Sequence, residues 1–512
     1  MKLRWKILIG LGIVAVLAVA SLWVNLHSQP ASELEAYKRL LRGQGEKLEI
    51  SEVAPPPVAP EENSVDAVRE AFGMFGPGTE SMPNAMRMVA PGKALIGWQQ
   101  PDARNADFTN SWEQFAAGVA ADAPAIELLH QVLNRPKLDF QLDYNQGARL
   151  PLPHLPPLKR SAQKLTSAAI LELHNGDPGA AATNILTELA LVHNTAAEGL
   201  LISHLVRIAI TAIAVNPTWE LLQATNVTDG QLAAVQKAWE RLDFLANAEN
   251  SFVTDRAWTS AEIQKTRTDP KRFEELFGSG ALMGGPSGAP SWLDPVYSAT
   301  EAPRHAAFET LWRSSWSYSA ELQSLRIDQE IIEAARAMQT NRSQFYKADY
   351  DAMDSRLAAL GFTKYNQTLF EVLQIPDWHE LFAGQGYLTA TLRKTLQIET
   401  ARRIVVTAIA LKRFQLAHGK WPDALADLTP QFLTAVPIDP YDGKPLKYHP
   451  NPDGTFLLYS AGEDGADNGG DATSAKTSSG ANSWYWLRAN DWVWPQPASP
   501  AEVQYFYDHP QN

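Results

Sequence analysis

The chain has 512 residues, 45% of them hydrophobic and 20% charged, with a formal net charge of −13 and no cysteine. That length exceeds one ordinary hydrophobic core and predicts two or more domains. The missing thiol excludes disulfides, thiolate nucleophiles, iron–sulfur clusters and cysteine-held zinc, and the acidic balance argues against nucleic acid as a partner, since phosphates demand a basic surface.

Ile7 to Val24 is an uncharged apolar run preceded by Lys2, Arg4 and Lys6. At a rise of ~1.5 Å per residue it reaches roughly 27 Å, enough to cross a hydrocarbon core. The cations favour a cytoplasmic N-terminus. The expectation is a single-pass anchor in a bacterial inner membrane, with the bulk in the periplasm or outside. The rival reading is a cleaved signal peptide, because Ala18-Val19-Ala20 fits a small-residue cleavage site. Leu22, Trp23 and Val24 extend the apolar run past that site and favour the uncleaved anchor.

Residues 31–50 read as a short helix and a turn, and Ala54 to Pro60, APPPVAP, as a stiff polyproline-like spacer. Residues 76–110 and 134–158 read as irregular, the latter because Leu150 to Leu158 carries four prolines, which deny helix and central strand alike. From Ser161 the pattern is helical, with Leu165, Ala169 and Leu173 at spacing four. Asn175-Gly176-Asp177-Pro178 stops one helix and starts the next: Gly ends the first, Asp caps the second, and Pro takes its first position. Ala181, Ile185, Leu189 and Val192 form the next stripe, and Leu201, Leu205, Ile208, Ala212 and Val215 a third. Short connections predict antiparallel neighbours. The apolar run Ile208 to Val215 is too short to span a bilayer and reads as buried in protein. Helical patterns recur at 229–266, 303–340, 343–360 and 388–418, and a Gly/Pro/Ser-rich stretch, 278–295, reads as a mobile loop.

After Gly419 the pattern changes. Leu446 to His449 and Thr455 to Ser460 read as two strands joined by Pro450-Asn451-Pro452-Asp453-Gly454, with Gly454 at the positive-φ position. The fold class is therefore mainly α: a helical, hairpin- or bundle-like body, a small α+β C-terminal module and one N-terminal transmembrane helix. The predicted divisions are 1–30, 31–160, 161–387, 388–495 and a tail, 496–512.

No catalytic motif stands up. His379-Glu380 opens like a zinc-protease helix, but Ala383 occupies the second ligand position. Gly278-Ser279-Gly280 opens like a dinucleotide loop, but Met283 follows and no strand precedes it. His174, His193 and His204 share the helical hairpin region and read as ordinary polar groups of helices. Trp484, Trp486, Trp492 and Trp494 alternate as on two short strands. Core filling is the plainer reading, and an aromatic platform for sugar or peptide the sharper one.

Tyr459 to Asp471 is the informative stretch. It packs Glu463, Asp464, Asp467 and Asp471 among Gly462, Gly465, Gly469 and Gly470. A hard cation such as Ca²⁺ takes six to eight oxygens at ~2.4 Å from carboxylates and carbonyls, and glycines let a short loop curl around it. It is not an EF-hand, since counting from Asp464 places Ala466 and Ala475 where ligands are required.

Taken with Gly419-Lys420-Trp421-Pro422 and the run Asp439-Pro440-Tyr441-Asp442-Gly443, this stretch resembles the C-terminal half of type II secretion major pseudopilins, over roughly residues 400–494. The resemblance implies a calcium loop in which Ala461 offers its backbone carbonyl and Asp464 and Asp471 their carboxylates. Asp467 and Asp491 are further candidates without a firm counterpart, and Ala472 stands where the family often has another Asp. The N-terminal segment lacks the family's Phe-Thr-Leu-Ile-Glu run, so assembly into a fibre is not implied. The helical body is similar to large bacterial envelope proteins that end in the same loop. Together these readings predict a non-enzymatic, membrane-anchored scaffold or binding protein outside the cytoplasm, with an envelope or secretion-system protein as partner and Ca²⁺ as cofactor. An exported carboxylate-dependent hydrolase or carbohydrate-binding protein is the alternative.

Overall fold

The computed structural model describes residues 29–75, 83–105, 109–277, 305–306, 308–360, 386–473, 487 and 489–509. The apolar segment 7–24, the 278–295 stretch, His379 to Ala383, and Trp484 and Trp486 lie outside the described residues.

The chain is mainly helical, with a small C-terminal sheet. Helix α1 covers 29–43, α2 Val65–Met74 and α3 Trp112–His130. Helix α4, Leu155–His174, begins six residues before the periodicity suggested. Pro156 and Pro157 lie in its first turn, where the amides have no intrahelical acceptor and a proline ring meets no preceding carbonyl. The last two prolines of 150–158 thus start a helix.

The junction to α5, Pro178–Asn194, is built as its sequence predicts. Gly176 takes φ +82°, and Oδ1 of Asp177 accepts from the amides of Gly179 and Ala180, each at 2.9 Å. Helix α6, Leu201–Leu222, is the one helix among the described residues long and apolar enough to cross a membrane, yet 78% of its apolar window is buried inside the protein. It is a core helix packed on α4 and α5. The stretch 229–266 divides into α7, Asp229–Glu240, and α8, Phe244–Thr268. Asp243 restarts the helix by accepting from the amide of Ala246 at 3.0 Å. After α9, Pro270–Phe277, the chain enters α10, Ser317–Thr340, through a π-turn at Trp312–Trp316. Then come α11, Tyr346–Ala359, and the long α12, Gly386–His418, which stops at Gly419 with φ +71°.

The region 76–110, expected to be irregular, holds strands β1, Arg87–Ala90, and β2, Lys93–Leu95, and a minor pair, β3 Ala103–Arg104 and β4 Thr109–Asn110. Near the C-terminus β5, Lys447–Pro450, pairs antiparallel with β6, Phe456–Ser460, across a turn in which Gly454 has φ +82°, as expected. Strand β7, Trp492–Val493, adds to β6. Strand β8, Gln496–Pro497, leaves that sheet and pairs parallel with β2. The tail then ends in α13, Pro500–Asp508.

One hydrophobic cluster runs from Val65 to Trp494 and takes in Leu165, Ile185, Ile213, Trp239, Ile331, Ile404, Leu458 and Trp492. The predicted boundary at residue 387 therefore does not separate two cores. At 33 residues, α12 is roughly 50 Å long and serves both sides. It packs on α6, α7 and α8 of the body and also on β6 of the module. Near its middle a buried ion cluster marks the joint: Glu399 pairs with Arg402 at 2.7 Å and with Arg403 at 2.8 Å. Arg403 in turn donates to the Tyr346 hydroxyl at 2.8 Å and the Ile438 carbonyl at 2.6 Å. Burial works against ionising Glu399, but the two guanidiniums prevail and hold its carboxyl down at about 2.

Candidate cation loop

The acidic loop hangs from the end of β6. Two wholly buried aspartates hold it there. Asp439 accepts from the Ser460 hydroxyl and the Ala461 amide, both at 2.8 Å, and from the Tyr441 amide at 3.1 Å. Lys447 Nζ sits 3.3 Å from Oδ2, the oxygen that the Ala461 amide also binds. Asp491, just before β7, accepts at the far end of the loop from the amides of Asn468, Gly470 and Asp471 at 2.8 to 3.2 Å. The Asp491 amide returns a bond to the Asp471 carbonyl at 2.9 Å. A buried carboxylate satisfies several amides that would otherwise be orphaned by the turn, so these two residues fix where the loop begins and ends.

Between them all four glycines have positive φ, and two of them, Gly462 and Gly470, are required by space as well. At Gly462, φ +72°, a Cβ would stand 2.8 Å from the Asn490 carbonyl oxygen. At Gly470, φ +84°, it would stand 2.7 Å from Leu457 Cδ2. The remaining acids line this curl. Asp464 Oδ1 accepts from the Ala466 amide at 2.9 Å. Asp467 Oδ1 accepts from the Tyr459 hydroxyl at 2.9 Å and the Gly469 amide at 3.0 Å. Asp471 accepts from the Thr473 hydroxyl at 2.6 Å and from Asn490 at 2.7 Å. The Gly469 amide, foremost, holds the Asp467 carboxyl below its ordinary range, and the Thr473 hydroxyl does the same for Asp471. Burial, reinforced by Asp467, pushes the Tyr459 hydroxyl up. Glu463 reaches across to Gln397 of α12.

The structure thus brings Ala461, Asp464, Asp467 and Asp471 onto one curled loop, with Asp491 bonded to its far end, but it does not gather their carboxylates. Among the described residues, the one set of three His, Asp or Glu ligand atoms lying within 4.8 Å of one another is elsewhere, at Glu274, His305 and Glu309. Asp491 has both oxygens facing amides, which makes it an anchor of the loop in this conformation. The carboxylates of Asp464, Asp467 and Asp471 each accept from neighbours in the loop, and their spread leaves backbone oxygens to complete any ligand set.

Asp439 was not singled out by the sequence reading. Its neighbours Ile438 and Pro440 were the only signal, since a lone acid between apolar residues is buried only when it is bonded. The three histidines of the hairpin region have separate partners. His174 stacks on Trp112 with ring centres 3.8 Å apart, His193 lies 3.3 Å from Arg241, and His204 Nε2 lies 2.9 Å from the Thr395 hydroxyl. Trp492 and Trp494 are 1% and 2% exposed, and Trp492 meets Tyr441 edge-on at 5.0 Å. Those two indoles fill core and offer no platform. No family model, curated protein or solved structure matches this chain.

Proposed function

We propose that this chain is a membrane-tethered scaffold or binding protein of the bacterial envelope, its bulk outside the cytoplasm, with a pseudopilin-like C-terminal module whose acidic loop takes Ca²⁺. The Ile7 to Val24 segment supplies the tether, and a type II secretion-like machine supplies the partner. The observation that carries the reading is the loop's double anchorage. Asp439 and Asp491 hold both ends of a glycine-curled segment and leave Asp464, Asp467 and Asp471 on its outer, partly solvated side. In this reading Ala461, Asp464, Asp467 and Asp471 hold the ion, and Asp491 keeps the loop in place beneath it.

Thermal unfolding of the full chain in detergent, with millimolar Ca²⁺ and then with EGTA, tests the metal. A ligand that binds only the folded state raises the midpoint by mass action. The expected result is a midpoint that rises with Ca²⁺ in the parent and stays put in Asp464→Ala/Asp471→Ala. Identical midpoints in all four samples would remove calcium from the proposal. Protease protection in sealed inner-membrane vesicles tests the topology, and cleavage of the body from the cytoplasmic face would overturn it.

A further inference from the structure

Two short helical segments remote from the acidic loop meet over a small aromatic core. Phe273 and Phe277 of α9 pack with Phe308 and Trp312, with ring centres 4.9 to 6.0 Å apart, in a cluster separate from the main core. Glu274 rises from α9 beside this cluster, and His305 and Glu309 rise from the helical turns before the π-turn. His305 and Glu309 are four residues apart on a helix and so share a face. One ligand atom from each of Glu274, His305 and Glu309 lies within 4.8 Å of the other two.

We propose that these three side chains bind a divalent cation of borderline softness, Zn²⁺ above all, as a site independent of the C-terminal loop. The geometry points there in three ways. His305 Nε2 is buried and has no hydrogen-bond partner, an expensive state for a ring nitrogen unless something else engages it. It sits 3.6 Å from Glu274 Oε1, beyond hydrogen-bond reach. Two donors on one tetrahedral zinc, each bonded at about 2 Å, stand roughly 3.3 Å apart, so this separation closes with a small shift. The imidazole is also held in place, because its ring meets Phe273 edge-on at 5.6 Å.

The donor set decides the metal class. An imidazole beside two carboxylates is the ligand mix of zinc and its first-row neighbours, whereas calcium takes oxygens alone. Arg313 lies 3.0 Å from Glu309 Oε1 and plays the part of a neighbour that orients a ligating carboxylate. Three protein ligands leave a fourth tetrahedral position for water. Glu274 is exposed while His305 and Glu309 are half-buried, so the site is open to solvent.

The test uses the full chain in detergent, stripped of metal by chelator and then dialysed. Calorimetric titration with zinc chloride reads affinity and stoichiometry, and the optical spectrum of the cobalt(II) form reads coordination. The parent should bind zinc at this site with micromolar or tighter affinity and show cobalt bands of tetrahedral intensity. Glu274→Gln, an exposed change that leaves the fold undisturbed, and His305→Gln should each weaken binding at least about tenfold and bleach the cobalt bands. Asp464→Ala/Asp471→Ala should leave both signals unchanged, which separates this site from the calcium loop. Absence of zinc binding in the parent, or equal affinity in Glu274→Gln and His305→Gln, overturns the proposal and leaves His305 as an ion-pair partner of Glu274.

Discussion

At the scale of single residues, the helical body holds a carboxyl group with little to satisfy it. Glu188 of α5 is wholly buried. The Thr166 hydroxyl donates to its Oε2 at 3.2 Å, and its Oε1 has no hydrogen-bond partner. Burial therefore pushes its pKa well above the ordinary value, against a smaller lowering by Thr166. Its linkage to folding has a definite sign. The folded-state pKa lies above that of the unfolded chain, about 4.3, so the stability tied to this group is fully present below that pH and is lost as pH rises through the folded value. Each unit of pH across that interval costs about 1.4 kcal/mol. Glu188→Gln, neutral at every pH, should flatten the pH dependence and be the more stable form under alkaline conditions. Urea unfolding of parent and variant at acidic and alkaline pH measures this, and parallel losses in the two proteins would show that Glu188 is not linked to folding. Nothing in the sequence marked this residue, because Glu188 is an ordinary Glu on an otherwise regular helical stripe until the packing of α4 against α5 covers it.

At the scale of elements, periodicity and end signals carried the reading where the chain acts locally. The sequence Asn175-Gly176-Asp177-Pro178 made a helix junction because its dihedral and hydrogen-bond demands are met within a few residues. The β5–β6 turn with Gly454 followed for the same reason. Where distant segments decide, the pattern was silent. Pairing of β8 with β2 depends on a partner some four hundred residues away, and Glu274 meets His305 only across an intervening stretch. The acidic loop is intermediate. Its curl could be read from glycine spacing, but the division of labour among its acids could not, since that depends on which of them β6 and β7 bury. Asp491→Asn tests the division. Oδ2 of Asp491 accepts from all three amides and Oδ1 shares only that of Asn468. An Asn can therefore keep its oxygen towards the three amides but sets an NH2 donor against the Asn468 amide, a buried donor without an acceptor at a cost of about 1–3 kcal/mol. Asp464→Asn, on the exposed side, should scarcely change stability in the absence of added metal. Equal and small effects in denaturant titrations would mean that Asp491 is no anchor.

At the scale of the whole molecule, α12 makes body and module interdependent. Its buried segment Ile404 to Leu411 fills the space between α6, α7 and α8, and the Glu399–Arg403 cluster secures Tyr346 and Ile438 on either side. A chain cut before residue 386 would expose that groove and lose several fully buried side chains at once. It should therefore fail to give native near-ultraviolet dichroism, whereas the complete chain should unfold in one calorimetric transition. Two well-separated transitions, with the upper one preserved in the truncated chain, would show that the body folds without α12. The predicted boundary at 387 assigned the whole helix before Gly419 to the C-terminal module, as the resemblance implies, but sequence pattern says nothing of which side a helix shares its core with.

The return of the tail to β2 has a mechanical consequence. Gln496 and Pro497 lie parallel to Lys93 and Ala94, and the Trp219 indole grips the Pro495 carbonyl at 2.9 Å. Parallel strands pulled from opposite ends resist in shear, with their hydrogen bonds loaded together rather than peeled one after another. A tug on the last helix of this protein would be borne first by that short clasp and by a tryptophan in the centre of the body. The fold thus carries tension from its C-terminal end into its core before the acidic loop is disturbed.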